Sequence, residues 1–212
     1  MLEHPIIRRD PLFIVFDGID GAGKSTQIAK LREHLISKGH SVCCVRDPGA
    51  TKLGDAVREI LLHREDIPLG MTSEMFLYMA ARAQLVEEQI RPALDRGQVV
   101  LCDRFLLANV VYQGCAGGLD VETLWQVGQI ATGGLMPDVT FILDMDVGRA
   151  AGRMQRGLDR LEKRGREYFQ RVREGFQSQL PRCPGMAVLI DADRDADAIH
   201  EEIRTKLDAI FP

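Results

Sequence analysis

Several features that would define other protein classes are missing from this chain of 212 residues. No apolar stretch approaches the ~20 residues that a helix needs to cross a bilayer. The N-terminal residues before Leu12 include Glu3, His4, Arg8, Arg9 and Asp10 and lack the apolar core of a secretory signal. No internal repeat or low-complexity tract occurs, and the length suits one domain. These absences favour a single cytoplasmic domain over residues 1–212, without a membrane as partner.

The cysteines lack the spacing of a metal site or of a disulfide framework. There are five of them and no C-x-x-C pair, and an odd count fits a reducing compartment. Cys43 and Cys102 fall in apolar runs that predict core strands, where a small buried thiol is the ordinary interpretation. We therefore expect neither structural zinc nor a disulfide.

Net charge is small but unevenly distributed. The formal charge of −4 argues weakly against nucleic acid as a partner. Between Arg149 and Arg173, however, nine basic residues stand against three acidic ones. Five arginines there recur every three or four positions, which places them on one face if the segment is helical: Arg149, Arg153, Arg156, Arg160 and Arg164. Gly152 and Gly157 interrupt the segment and favour a mobile lid over a rigid helix, the alternative being a solvated charged face.

Apolar runs typical of buried strands alternate with helical patterns. Strands are predicted at residues 12–16, 41–45, 98–102, 138–144 and 186–190. Helices are predicted at residues 24–38, 51–62, 72–95, 104–112, 120–132, 146–156, 163–178 and 195–210. In the longest helix Thr72 is the expected N-cap, and one apolar stripe is predicted: Met75, Phe76, Met79, Ala83, Val86 and Ile90. The alternation predicts an α/β fold, a five-stranded parallel sheet flanked by helices.

The first predicted strand runs directly into a glycine-rich loop and a helix. The loop has the pattern G-x-x-x-x-G-K-S of a P-loop. Its glycines let backbone N–H groups surround phosphate oxygens, and the helix adds the positive end of its dipole. Lys24 would reach the outer phosphates, and the hydroxyl of Ser25 would coordinate magnesium. The sequence therefore predicts a nucleoside triphosphate site formed by Gly18, Ile19, Asp20, Gly21, Ala22, Gly23, Lys24, Ser25 and Thr26.

The third predicted strand ends in an acid followed by an arginine. Ligands of open α/β sheets bind beyond the carboxyl ends of the strands, so both side chains should lie beside the P-loop. Asp103 is expected near the magnesium ion. Arg104 is expected to grip a phosphate through two parallel hydrogen bonds, which lysine would do less well. A helix cap at Asp103 and a surface salt bridge at Arg104 are the alternatives.

The chain resembles thymidylate kinases of the bacterial type over essentially its whole length. Six motifs carry the resemblance: Phe16-Asp17-Gly18-Ile19-Asp20-Gly21-Ala22-Gly23-Lys24-Ser25-Thr26, Arg46-Asp47-Pro48-Gly49, Arg82-Ala83-Gln84, Asp103-Arg104-Phe105, Tyr112-Gln113-Gly114 and Leu158-Asp159-Arg160. The resemblance implies a three-layer P-loop NTPase fold with ATP and Mg2+ as cofactors and an arginine-rich lid over residues 149–164. It implies phosphorylation of dTMP to dTDP, in the supply of dTTP for DNA synthesis, by a homodimer.

The resemblance also implies roles for single residues. Asp20 would approach the sugar 3′-hydroxyl and the metal region, and Arg104 would hold the acceptor's monophosphate. Tyr78 would stack on thymine, with Arg82 and Asn109 on the edge of the base. An aromatic face holds any base, whereas donors on its edge select one.

Tyr112 would crowd the 2′ position of the sugar and so favour deoxyribose. Arg46 and Gln113, from two of the matching motifs, complete the implied acceptor site. Family members whose P-loop lacks an arginine, as this one does, supply arginine from the lid, and Arg153 and Arg156 are the candidates here. Four positions depart from the family pattern, with the last two expected beside the acceptor pocket: Asp47 for Glu, Ala50 for Gly, Ala81 for Asp and Ala108 for Ser.

Three other functions compete with this interpretation. A related kinase could take dUMP or UMP as its acceptor. A nucleotide sensor could keep the P-loop without transferring phosphate. A GTPase switch is disfavoured because no N-K-x-D motif is present.

Overall fold

The computed structural model of the chain describes residues 11–153, 160 and 164–210. Its strands form one parallel sheet in the order β2-β3-β1-β4-β5. The strands are β1 Phe13–Gly18, β2 Val42–Arg46, β3 Val99–Asp103, β4 Val139–Asp144 and β5 Met186–Asp191. The predicted α/β fold with a five-stranded parallel sheet is confirmed.

The helices of the described residues cover both faces of the sheet. They are α1 Lys24–Ser37, α2 Lys52–Leu62, α3 Met71–Leu85, α4 Arg91–Asp95, α5 Leu106–Asn109, α6 Val121–Thr132, α7 Val147–Arg153, α8 Arg166–Gln179 and α9 Ala196–Asp208. A π-helical segment, Val86–Ile90, joins α3 to α4, and a second one, Val110–Cys115, continues α5. None of these helices has the length and apolarity that a membrane span requires.

β1 lies at the centre of the sheet and is buried along its whole length, because a parallel sheet is covered on both faces. Phe16 is in register with Asp103 on β3, and Gly18 with Leu143 on β4. The carboxyl ends of these three strands therefore meet at one edge of the sheet. The P-loop leaves β1 at that edge.

The edge position of β2 changes the environment of its cysteines. Cys102 on β3 is fully buried, as predicted, whereas Cys43 is only half-buried and Cys44 is exposed. The prediction of a buried thiol was wrong for Cys43, because an edge strand has a neighbour on one side only. All five cysteines carry free thiols.

The long helix predicted at residues 72–95 is divided by the π-helical segment. Gly70 occupies the N-cap position of α3, so the predicted cap at Thr72, which lies inside the helix, was wrong. Phe76 is 55% exposed and does not belong to the apolar stripe. The buried face of α3 carries two charged residues instead, Glu74 and Arg82.

Candidate active site

The P-loop connects β1 to α1 and opens toward the carboxyl edge of the sheet. Gly18, Gly21 and Gly23 have positive φ angles of 122°, 83° and 96°. A Cβ atom at Gly18 would lie 2.3 Å from the carbonyl oxygen of Leu143, and one at Gly21 would lie 2.3 Å from that of Ala150 on α7. These two glycines are therefore required by packing as well as by backbone conformation. Among the described residues, no atom lies within 4 Å of a Cβ placed at Gly23, so that face of the loop is open.

The first turn of α1 faces the open side of the loop. The helix begins at Lys24 without a side-chain cap. Initial N–H groups of a helix have no partner within it, so those of Lys24, Ser25 and Thr26 suit an anion bound in the loop. The side chains of Ser25 and Thr26 are exposed, while Ile19 and Ala22 are buried and fix the loop to the core.

Asp20 lies between the P-loop lysine and Arg104. Its Oδ1 atom is 3.5 Å from Nζ of Lys24 and 2.9 Å from Nη2 of Arg104. Lys24 also donates to the carbonyl oxygens of Gly18 and Ile19, at 3.2 and 3.0 Å. Nη1 of Arg104 donates to the carbonyl oxygen of Gly18 at 2.9 Å. The carboxylate of Asp20 thus contacts both Lys24, which is predicted to bind the triphosphate, and Arg104, which is predicted to bind the acceptor.

Arg104 does not belong to a helix, contrary to the helix predicted at residues 104–112. Its φ of 69° lies in the left-handed region, which is uncommon for residues other than glycine. Its backbone N–H donates to the carbonyl oxygen of Phe16 at 2.9 Å, which extends the β1–β3 pairing, and α5 begins only at Leu106. The guanidinium lies 5.0 Å from the centre of the Tyr112 ring. Sheet pairing and ring stacking hold this conformation in place.

A cleft opens beside Arg104, lined by both polar and apolar side chains. The structure brings together in its lining seven of the residues expected at the acceptor: Asp20, Tyr78, Arg82, Arg104, Asn109, Tyr112 and Gln113. Arg46 is the exception. Its exposed guanidinium lies 3.2 Å from Asp55 on α2, because the last residue of β2 points away from the cleft.

Arg58 on α2 lines the cleft and was missed from the sequence. Its Nη1 donates to the carbonyl oxygen of Pro48 at 3.0 Å. Burial, followed by the charge of Arg46, lowers the pKa of Arg58. Arg58 follows the buried Val57, and a charged residue beside an apolar stripe usually faces solvent, so the sequence carries no signal for it.

Two departures from the family pattern behave differently in the structure. Ala108 lines the cleft, as expected. Ala81 is fully buried in a small apolar cluster with Val57 and Leu61 and lies outside the lining. The expectation that both residues border the acceptor therefore holds for Ala108 only.

Arg82 is buried beneath the cleft and makes hydrogen bonds in several directions. Nε pairs with Oδ2 of Asp47 at 2.5 Å, and Nη1 donates to Oδ1 of Asn109 at 3.0 Å. Nη2 donates to the carbonyl oxygen of Phe105 at 3.3 Å. Burial raises the pKa of Asp47, although the charge of Arg82 opposes that rise. An arginine held so rigidly presents a fixed donor pattern to the cleft.

The carboxylates near the P-loop suit a magnesium ion. Asp17 is fully buried, and neither of its oxygens has a hydrogen-bond partner in the described structure; the same holds for Oδ1 of Asp103. Mg2+ takes oxygen ligands, using one or two carboxylates together with phosphates. In the described residues, no cluster of three or more His, Cys, Asp or Glu could hold a metal alone. Ser25 and Asp103 thus fit a metal that is shared with a bound triphosphate.

Asp17 gives the free protein a pH-dependent stability. Burial raises the pKa of Asp17 from 3.8 to about 7, against the opposing charges of Arg104 and Lys24. The folded protein therefore binds this proton more tightly than the unfolded chain. The stabilisation is complete below the unfolded pKa and is lost as the pH rises through 7.

As the pH rises from 5 to 8, ionisation of Asp17 should lower the free energy of unfolding by roughly 2–3 kcal/mol. Urea unfolding without metal or nucleotide would measure it. The Asp17→Asn variant should lack this component, and identical pH profiles for the two proteins would refute the assignment.

The predicted lid lies partly outside the described residues. Arg153 is exposed at the end of α7, and Arg156, Leu158 and Asp159 are not described. Arg149 lies 3.2 Å from Asp193. The predicted single arginine face does not extend to Arg160, which lies in a turn and donates to the carbonyl oxygens of Ile67 and Leu69, at 3.4 and 3.2 Å.

Ala50, where the implied family pattern has glycine, has a φ of 61°, in the left-handed region that glycine adopts without strain. An L-residue in the left-handed region costs about 1–2 kcal/mol. Relief of this strain in the Ala50→Gly variant should therefore raise the free energy of unfolding by about 1 kcal/mol. The greater entropy of glycine in the unfolded chain offsets part of this gain. Chemical denaturation would measure this gain. The Ala81→Gly variant, at a buried helical position, should lose stability, and a loss in both variants would contradict the account.

A P-loop at the end of the central strand, facing an arginine-lined cleft at the neighbouring strand ends, defines a P-loop kinase that phosphorylates a small acceptor. The family model described as Thymidylate kinase matches residues 16–203. The chain belongs to the thymidylate kinase family and is a nucleoside monophosphate kinase.

Similar proteins are found among bacteria. The thymidylate kinase of Rhodopirellula baltica is 44% identical over 202 residues, which cover 95% of this chain and 81% of that protein. The thymidylate kinase of Desulforudis audaxviator is 44% identical over 202 residues, covering 94% and 91%. The crystal structure of thymidylate kinase from Ehrlichia chaffeensis superposes with a TM-score of 0.77 at 28% identity, covering 93% of this chain and 99% of that one.

Proposed function

We propose that this chain transfers the γ-phosphoryl group of ATP to the phosphate of dTMP, giving ADP and dTDP. The position of Arg104 carries the proposal. Arg104 lines the cleft, and its guanidinium is hydrogen-bonded to the carbonyl oxygen of Gly18 at the start of the P-loop. An acceptor phosphate held there would face the outer phosphate of a nucleotide in the P-loop. The names of the relatives support dTMP as the acceptor.

The cleft suits a pyrimidine deoxynucleotide. Tyr78 offers an aromatic face for the base, while Arg82 and Asn109 offer polar groups to its edge. Tyr112 is buried beside Arg104, and its ring would leave little room for a hydroxyl at the 2′ position of a bound sugar. The acceptor's phosphate would take the place that Asp20 now occupies on Arg104.

The donor is held by main-chain N–H groups of the P-loop and by Lys24. Mg2+, held by Ser25 and Asp103, would neutralise charge on the outer phosphates. Lys24 would leave the carbonyl oxygens of Gly18 and Ile19 to bind these phosphates. Asp20, displaced from Arg104 by the acceptor's phosphate, would then approach the 3′-hydroxyl of the acceptor.

In the transfer an oxygen of the acceptor phosphate forms a bond to the γ-phosphorus, and the bond from that phosphorus to the bridging oxygen of ADP breaks. The acceptor oxygen is already anionic near neutral pH, so no general base is needed. Lys24 and Arg104 hold the two nucleotides in line, and positioning supplies much of the rate. Arg153 and Arg156 would add positive charge as the lid closes, and closure would exclude water.

A panel of acceptors with purified enzyme and Mg-ATP tests this function. We expect the highest kcat/KM for dTMP among dTMP, dUMP, UMP, dCMP and dGMP. Faster turnover of dUMP or UMP would replace the substrate assignment. ATP binding without ADP formation on any acceptor would instead support a nucleotide sensor. Omission of Mg2+ should abolish turnover if the cofactor assignment is correct.

We also propose that residues 1–212 form one domain and that the active form is a homodimer. Large apolar side chains are exposed on the adjacent helices α2, α3 and α6, at Leu53, Phe76 and Ile130. Burying such residues is the main driving force of association. Light scattering after gel filtration should give twice the mass of the chain, and the Phe76→Arg variant should shift it toward the monomer. A monomeric wild type would end the proposal.

A further inference from the structure

Glu74 is a buried carboxylate that does not line the cleft. It lies on α3 and is 1% exposed. Its Oε1 atom accepts from Nε2 of Gln113 at 2.7 Å, and its Oε2 atom accepts from Nη2 of Arg164 at 2.5 Å. Burying a charge is costly unless partners compensate for it. Both carboxylate oxygens of Glu74 have such partners.

Gln113 continues the chain of hydrogen bonds toward the base. Nδ2 of Asn109 donates to Oε1 of Gln113 at 2.5 Å, and Oδ1 of Asn109 accepts from Nη1 of Arg82 at 3.0 Å. Four side chains from three segments thus form a buried series that ends at the cleft. Of these four residues, the other three line the cleft and Glu74 does not.

The two ends of this series impose the same direction on it. A side-chain amide carries a donor and an acceptor and could be turned either way. A carboxylate only accepts, so Gln113 must turn its NH2 group toward Glu74 and its oxygen toward Asn109. A guanidinium only donates, so Asn109 must turn its oxygen toward Arg82. Carboxylate and guanidinium together fix the orientation of both amides.

The resulting edge of the cleft has a definite pattern. Four of the five N–H groups of Arg82 have acceptors among the described residues, namely Asp47, Met79, Asn109 and Phe105. The fifth, an N–H group on Nη2, has no acceptor among them. The oxygen of Asn109 keeps a second lone pair. A donor beside an acceptor complements a base edge with a carbonyl next to an N–H, as in thymine and uracil. Cytosine has an amino group next to a bare nitrogen, the reverse pattern.

We propose that Glu74 is a positioning residue for base selectivity: acting through Gln113, it holds the oxygen of Asn109 beside Arg82 and so excludes cytosine nucleotides. This inference rests on the proposed function, because it concerns the same acceptor cleft. Without Glu74, Gln113 loses the partner that orients its NH2 group and can turn that group toward Nδ2 of Asn109. Two donors would then face each other, and Asn109 would have to turn against its bond to Arg82. Turned amides accept cytosine better and thymine less well.

The test compares kcat/KM for dTMP and dCMP in four proteins. Glu74→Met keeps the volume of the side chain but removes both acceptors, and it should lower the dTMP:dCMP ratio by about 10-fold or more. Glu74→Gln has one oxygen, which accepts from the donor-only Arg164, so its NH2 group would face Gln113 and the ratio should fall in this variant as well. Arg164→Met removes only the other partner of the carboxylate and should keep the ratio within about threefold of wild type.

An equal loss on both substrates in Glu74→Met would mean a structural role only and would overturn the inference. If that variant does not fold, Glu74→Gln, which reverses the hydrogen bond to Gln113, is judged by the same ratio. Failure of the proposed function is distinct, because it would be seen in the wild type as absent or minor turnover of dTMP.

Discussion

Replacing Lys24 by alanine should lower kcat by about 10³-fold or more while the protein stays folded. Lys24 is 6% exposed, and its Nζ lies among the carbonyl oxygens of Gly18 and Ile19 and the carboxylate of Asp20. Burial, followed by the charge of Arg104, lowers the pKa of Lys24, so its charge is poorly solvated in the free enzyme. A bound triphosphate would give this charge its partner.

ADP formation in a coupled assay would measure the loss, and circular dichroism would confirm the fold. Lys30 is a matched control because it lies on the same helix, where it pairs with Asp197 at the surface. Lys30→Ala should keep kcat near the wild-type value. A Lys24→Ala enzyme with near-normal turnover would remove the basis for the proposed donor site.

Replacing Arg104 by alanine should raise the KM for dTMP by about 100-fold, with a much smaller change in the KM for ATP. The guanidinium now bonds to Gly18 and Asp20 and stacks on Tyr112, and its backbone is held in the left-handed region. Those contacts place it before the acceptor arrives, so little ordering cost remains on binding.

Steady-state kinetics with each substrate varied in turn would separate the two KM values. The KM for dTMP of the Arg104→Lys variant should lie between those of Arg104→Ala and the wild type, because lysine keeps the charge but not the planar pair of donors. An unchanged KM for dTMP in Arg104→Ala would show that the acceptor phosphate binds elsewhere.

The fold and the donor loop were predictable because their signals are local. A buried strand, a glycine-rich turn and a helix lie next to one another in sequence, and parallel strand ends must meet at one edge. Asp103 and Arg104 could be assigned to that edge from the third strand alone. The resemblance to a family added the cleft residues Tyr78 and Asn109.

Other features depend on contacts between distant segments, which no local pattern reports. Arg104 was expected in a helix, but its backbone pairs with β1. Arg46 was expected at the acceptor, yet it pairs with Asp55, while Arg58 on the next helix lines the cleft. The burial of Glu74 and Asp17 reverses the usual expectation for acids, because neighbouring arginines lie beside them in space only.

The contact between Gly21 and Ala150 limits where this enzyme can carry a catalytic arginine. Any side chain at position 21 would collide with the carbonyl group of Ala150 on α7, the first helix of the proposed lid, and the φ of 83° disfavours one as well. On this backbone, the P-loop therefore cannot carry an arginine at position 21 while α7 keeps its present distance from the loop. Introducing an arginine at position 21 of the P-loop would require α7 to be redesigned at the same time.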